Sequence, residues 1–240
     1  MSAQNAGHTA RERARAELTR EIKEEARRQL AVAGADGLSL RAVARSLGMV
    51  SSALYRYFPS RDDLLTALII DAYNAVGDAV EAAAGGTAPG NGTAPGSRAR
   101  WIAVCRAVRA WALANPHEYA LIYGSPVPGY RAPEVTIAPA SRMPLAFVRV
   151  LADATCPAPT APFPADASLA TQAAALAAAL AEAGAPHVPP DALVRAVVAW
   201  TQLFGMLSFE LFGQFAGSFE PADALFEHAV AQMAAFVGLR

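Results

Sequence analysis

The sequence predicts an all-α protein, and three observations carry that reading. Alanine dominates the 240 residues, and Ala loses no side-chain entropy in a helix. Apolar residues recur at helical spacing in one segment after another, and no stretch alternates apolar and polar residues with the period of a strand. The expected architecture is a small basic three-helix unit followed by a larger helical domain, divided at 1–60 and 61–240.

The elements follow in chain order. Residues 2–10 read as a flexible arm. A first helix is expected over 11–33, where Leu18, Ile22, Ala26 and Leu30 repeat every four residues and Gly34 and Gly37 end the run. A short second helix covers 40–47: Ser39 is its N-cap, and Leu40, Val43, Ala44 and Leu47 share one face. Gly48 supplies a turn, and a third helix is expected over 51–57 until Pro59 breaks it. Ser60 caps a fourth helix reaching about Ala84, with Asp62 and Asp63 in its first turn where carboxylates are favoured. The Gly/Pro/Thr run at 85–97 reads as a linker. Further helices are expected at 98–114, 116–123, 134–153, 166–183, 191–214 and 221–237. Two Pro-rich loops interrupt them, at 125–133 and 156–165.

Charge is unevenly spread. Residues 1–61 carry 11 Lys/Arg against 6 Asp/Glu, while the remaining chain carries 9 against 15. A basic N-terminal quarter on an acidic chain points to a local polyanion contact. Cys105 and Cys156 fit no metal spacing, and no metal or cofactor is expected; they read as unpaired thiols of a cytoplasmic protein. The apolar stretches 168–185 and 193–215 are interrupted by Gln172, Glu182, Arg195, Gln202 and Glu210, so no membrane span is expected. The four histidines are scattered and no HExxH, GxSxG or Walker-type motif occurs, which argues against an enzyme.

A short helix, a Gly-containing turn and a second short helix make a helix-turn-helix, in which the second helix enters the DNA major groove. Here those parts are 40–47, Gly48 to Val50 and 51–57. Small Ser51, Ser52 and Ala53 open the recognition helix, so the backbone can approach the bases. Tyr55 and Tyr57 offer hydroxyls, and Ser39, Arg41, Arg56 and Arg61 offer hydrogen bonds and charge for phosphates.

The stretch SSALYRYFPSRDDLL resembles the signature of the TetR/AcrR family of bacterial transcriptional repressors. Leu54, Tyr55, Tyr57, Phe58, Arg61, Asp62 and Leu64 fill its places, and GADGLSLRAVARSLGMV upstream agrees with it. The resemblance implies a homeodomain-like DNA-binding domain, a palindromic double-stranded operator, and a helical domain for ligand binding and dimerisation. YALIYGSPVPGYRAP and WTQLFGMLSFELFG look like the WHG subgroup of such C-terminal domains. Trp200 and Gly205 fit, and Phe204 stands in the place of the His.

The family's implied effector cavity is expected to be lined by Trp111, Tyr119, Tyr123, Met143, Phe147 and Phe204, with a filled aromatic core as the alternative. The implied homodimer is expected to meet through the last two helices, at Val194, Val198, Leu207, Leu211, Phe226, Val230 and Met233. The expected function is a DNA-binding regulator released from its operator by a small-molecule effector. A regulator without such an effector and a helical enzyme or binding protein with a vestigial helix-turn-helix are the alternatives.

Overall fold

The computed structural model describes residues 3–85, 96–154 and 166–239, and every regular element among them is helical. In chain order these are α1 (Ala3–Ala33), α2 (Leu40–Ser46), α3 (Ser51–Leu54), α4 (Arg61–Gly85), α5 (Ser97–Ala114) and α6 (Pro116–Tyr123). A 3₁₀ turn (Glu134–Thr136) leads into α7 (Ile137–Ala152), followed by α8 (Ala167–Glu182), α9 (Pro190–Leu211) and α10 (Asp223–Phe236). Cys156, the Pro-rich loop at 156–165 and most of the linker at 85–97 lie outside the described residues.

Two expectations need correction. The first helix starts at Ala3, so the segment read as an arm is helical. A lone Gly7 costs about 1 kcal/mol of helix propensity, too little to stop a run that Ala and Arg favour. The third helix is a single turn, Ser51–Leu54. Beyond it the chain continues through tight turns, with Tyr57 N–H donating to the Leu54 carbonyl at 2.8 Å and Phe58 N–H to the same oxygen at 3.1 Å.

The chain packs as two compact units. Unit 1 holds Met1–Ala72 and His117–Thr136; unit 2 holds Tyr73–Pro116 and Ile137–Arg240. The division thus falls inside α4, and α6 joins the N-terminal unit, which a linear split of the sequence could not anticipate.

In unit 1 the predicted stripe of α1 is buried at Ile22, Ala26 and Leu30. Those residues meet a core that also contains Val43, Ala44, Leu54, Phe58, Leu64, Leu65 and Leu68. At about 25 cal/mol per Å² of apolar surface removed from water, such burial is the main force holding short α2 and α3, which are too short to be stable alone. Charges stitch α1 to α4 and α6. Lys23 and Arg27 both reach Asp71, and Arg27 Nε donates to Glu118 at 2.8 Å. Thr66 and the Tyr130 hydroxyl are hydrogen-bonded at 2.9 Å.

In unit 2, α5 packs on α7, α9 and α10, and α8 lies along α9. Trp101, Val104, Cys105 and Val108 of α5 are fully buried or nearly so. Burial pushes the Cys105 thiol far above its ordinary range, so it stays protonated and inert. Polar clamps close the periphery: Arg109 is held by Glu210 and Asp223 and lies over the Phe226 ring, and Arg106 grips Glu227. By length and apolar content alone, Glu134–Ala152 and Pro190–Leu211 could cross a bilayer. Both instead place faces in a protein core, α7 through Ala146, Phe147, Val150 and Leu151 and α9 through Leu193, Ala199, Leu203 and Leu207.

Candidate nucleic-acid interface and open pocket

The helix-turn-helix is assembled by local chemistry. Ser39 Oγ accepts from the Ala42 N–H and so caps α2. Gly48 takes φ +65°, a left-handed conformation that costs an L-residue roughly 1–2 kcal/mol. That turn lets the Met49 N–H reach back to the Ala44 carbonyl at 2.8 Å, which closes α2 and redirects the chain into α3. Glu25 of α1, almost wholly buried, ties the motif down from behind. Burial pushes its carboxyl up, but hydrogen bonds from Arg28, Ser46 and Gln29 and the Arg28 charge outweigh this and hold it below its ordinary value.

The charges of unit 1 sort into two sets. Arg20 is neutralised by Glu17 and Glu24, Arg28 by Glu25, and Lys23 and Arg27 by Asp71 and Glu118. Arg41, Arg45 and Arg56 are exposed and have no acidic partner among the described residues. They flank α3, where Ser52 is exposed and Tyr55 is 41% exposed. Tyr57 is half-buried, with the Arg15 guanidinium 5.3 Å from its ring centroid. Exposed Arg11, Arg13 and Arg15 of α1 likewise lack an acidic partner among the described residues.

Unit 2 has a pocket of about 290 Å³, open to solvent past the exposed Leu176 and Val197. Trp101 closes it from α5, and Pro144, Phe147 and Val148 from α7. Leu176 and Leu180 of α8 and Leu193, Ala196, Val197 and Trp200 of α9 complete the wall. Phe147 sits edge-on between Trp101 (4.9 Å between centroids) and Trp200 (5.7 Å), and Trp200 continues to Phe204 at 4.6 Å. On the same α7, Arg142 reaches α4: it donates to the Asn74 carbonyl and Oδ1, to Asp78 and to both oxygens of Glu81. Gly77 makes room for it, because a Cβ there would lie 3.0 Å from the guanidinium carbon.

Comparison with known proteins decides what this arrangement is. Residues 101–233 match the profile described as the tetracyclin repressor-like C-terminal domain, and residues 22–68 match that of bacterial regulatory proteins of the tetR family. The chain belongs to the TetR family. The HTH-type transcriptional regulator Rv1816 of Mycobacterium tuberculosis is 49% identical over 144 residues, and the chain spans 58% of the length of that relative. The regulatory protein SCO4313 has a similar solved structure, with 37% identity, 92% of this chain and 97% of that one covered, and a TM-score of 0.69. PfmR, a TetR family transcriptional regulator of Thermus thermophilus, shares the fold at 17% identity, with a TM-score of 0.53 over 88% of this chain and 97% of that one. These relatives are regulators, not enzymes.

With the TetR fold in place, each predicted residue can be located. Arg41, Ser51, Ser52, Ala53, Tyr55 and Arg56 gather on or beside α3, all wholly or partly exposed. Ser39 is committed to capping α2. Arg61 is turned inward: its Nη2 donates to the Ala35 carbonyl at 2.7 Å and its Nε to the Leu38 carbonyl at 3.2 Å. Arg15, one α-helix away in sequence, had no signal beyond its place in a charged run.

Of the predicted cavity residues only Phe147 lines the wall. Met143 and Trp111 are buried in the core of unit 2, and Phe204 lies beside Trp200, which lines the wall. Tyr119 and Tyr123 lie 5.4 Å apart on α6, in unit 1. The spacing of aromatics identified a helical core but not which face of it stays unfilled.

The predicted dimer residues are corrected similarly. Leu207, Phe226, Val230 and Met233 are essentially inaccessible inside unit 2, so they cannot meet a partner. Val194 and Leu211 are half-buried. Val198 is exposed, and its stripe continues along α9 through Gly205, Phe209 and Phe212, all exposed.

Proposed function

We propose that this chain is a cytoplasmic, homodimeric transcriptional repressor that leaves a palindromic DNA operator when a small molecule enters unit 2. The observation that carries the DNA reading is the set of uncompensated arginines, Arg41, Arg45 and Arg56, around a recognition turn that exposes Ser52 and Tyr55. Arginines with no internal partner supply phosphate contacts, and the small residues of α3 allow close approach to base edges. Arg15, packed on Tyr57, brings the neighbouring turns of α1 into the same surface.

The exposed α9 stripe of Val198, Gly205, Phe209 and Phe212 is the natural seam for a second copy. A two-fold axis there would set two recognition turns on half-sites about one DNA turn apart. The cavity in unit 2 favours an effector-responsive regulator over one with a filled interior. An effector stabilises release only if it binds the non-DNA-binding conformation better. The path available for that is covalent continuity, since α4 belongs to unit 1 up to Ala72 and to unit 2 from Tyr73.

Fluorescence anisotropy with duplexes flanking the gene, at fixed salt, tests the reading. A duplex bound about 10³-fold more tightly than random DNA is the expected result. Equal affinity for every duplex, with no selectable site in a random library, would reject sequence-specific regulation.

A further inference from the structure

Resting on the reading of a palindromic DNA operator, we propose that Val50 is a specificity-determining residue that reads a thymine in each half-site through its 5-methyl group. Three observations converge on it. Val50 is the N-cap of α3, the element whose first residues face the base edges in a helix-turn-helix. N-cap positions favour Ser, Thr, Asp or Asn, whose side-chain oxygen accepts from a backbone N–H, and Val50 makes no such bond. Its side chain is 70% exposed, so it forms no part of the core of unit 1 either. A lone exposed valine is ordinary on a protein surface. One that stands in a capping position on the recognition turn and stays outside the core gives up helix stability with no return inside the protein.

The return lies in the DNA major groove. Thymine carries a methyl group on its major-groove edge, and an apolar side chain distinguishes it where a hydrogen bond cannot. The backbone holds Val50 in place on both sides. The Met49 N–H donates to the Ala44 carbonyl at 2.8 Å, and the Ala53 N–H donates to the Val50 carbonyl at 2.9 Å. The valine side chain is stiff at χ1, so a contact orders little that is not ordered already. Its exposed neighbours are polar: Ser52 offers a hydroxyl, and Arg45 and Arg56 offer charge for phosphates. Val50 adds an apolar contact to that polar surface.

Selection from a random duplex library with the full chain yields the site that tests this. Replacing its thymines by deoxyuridine, one symmetry-related pair at a time, then removes methyl groups alone. One pair should lower affinity about fourfold per half-site, the value of one buried methyl. In Val50→Ser that pair should become indifferent to the methyl, while the other positions keep the parent's response. The serine should also raise the unfolding midpoint in urea, because it caps α3; a valine held there for the fold alone would lower it. No methyl-sensitive pair, an unchanged response in Val50→Ser, or a lowered midpoint would each overturn the proposal and leave sequence-specific binding standing. Failure to select any site would instead sink the DNA-binding reading, and the thymine contact with it.

Discussion

The Arg61 guanidinium donates to the Ala35 carbonyl at 2.7 Å, across 26 positions of sequence. With its second bond to Leu38, this makes Arg61 a clasp between the start of α4 and the loop that feeds α2. A residue whose type and place suggest phosphate binding is thus engaged by the protein itself. Arg61→Ala should lower unit 1 stability by about 2 kcal/mol, because the buried Leu38 and half-buried Ala35 carbonyls lose a charged donor. Chemical denaturation monitored by circular dichroism checks this. An unchanged midpoint with weakened DNA binding would return Arg61 to the DNA.

Arg41→Ala and Arg56→Ala should behave oppositely. Neither side chain has an acidic partner among the described residues, so stability should stay within about 0.5 kcal/mol of the parent. DNA affinity should fall for all sequences, and the slope of log affinity against log salt should shrink by about one for each arginine that contacts a phosphate. Salt titrations of duplex binding read both quantities.

Glu25 predicts an acid response. Its folded carboxyl titrates below the ordinary 4.5, so it stabilises the fold at pH values above 4.5. That contribution disappears as pH falls through the lowered folded value. Glu25→Gln should therefore be less stable than the parent at neutral pH, and the two melting temperatures should converge under acid. A constant gap between them from pH 7 to pH 3 would show that the ionised carboxylate is not what stabilises.

Arg142 is the place to look for coupling. It stands on α7, whose Pro144, Phe147 and Val148 wall the cavity, and it holds three side chains and a carbonyl of α4. Arg142→Met should reduce the effect of a pocket ligand on DNA affinity, a coupling normally worth about 1–3 kcal/mol. Gly77→Ala should act in the same direction more weakly, since the new methyl must push the guanidinium aside. Undiminished release in Arg142→Met would place the coupling elsewhere.

The α9 seam makes a final prediction. Phe209→Glu should shift the protein towards monomer in sedimentation velocity, because it puts charge into an apolar stripe. A dimer unaffected by that change would require a different face.

Much of this was legible in the sequence, for physical reasons. The stripe Ile22, Ala26 and Leu30, the cap Ser39 and the turn at Gly48 are local signals, each readable within a few residues. Helix count and order followed from them. The features that escaped depend on contacts between distant segments. Whether Arg61 faces DNA or the Ala35 carbonyl is decided by packing, not by its neighbours in sequence. The apolar positions of α9 and α10 repeat regularly, so periodicity marks both Leu207 and Val198 without saying that the first is buried and the second exposed. The cavity is a mismatch between four helices, and no single helix records it.

The aromatic chain of unit 2 has a spectroscopic consequence. All three tryptophans, Trp101, Trp111 and Trp200, belong to that unit, whereas five of the six tyrosines, Tyr55, Tyr57, Tyr119, Tyr123 and Tyr130, belong to the other and Tyr73 shares unit 2. Light absorbed by indole alone therefore watches unit 2 in isolation, and tyrosine emission is dominated by the half that carries α3. The unmodified protein comes with two intrinsic dyes, indole confined to unit 2 and phenol mostly in unit 1. Whether the halves melt together or in sequence can be read from a single heated sample, without a label or a mutation.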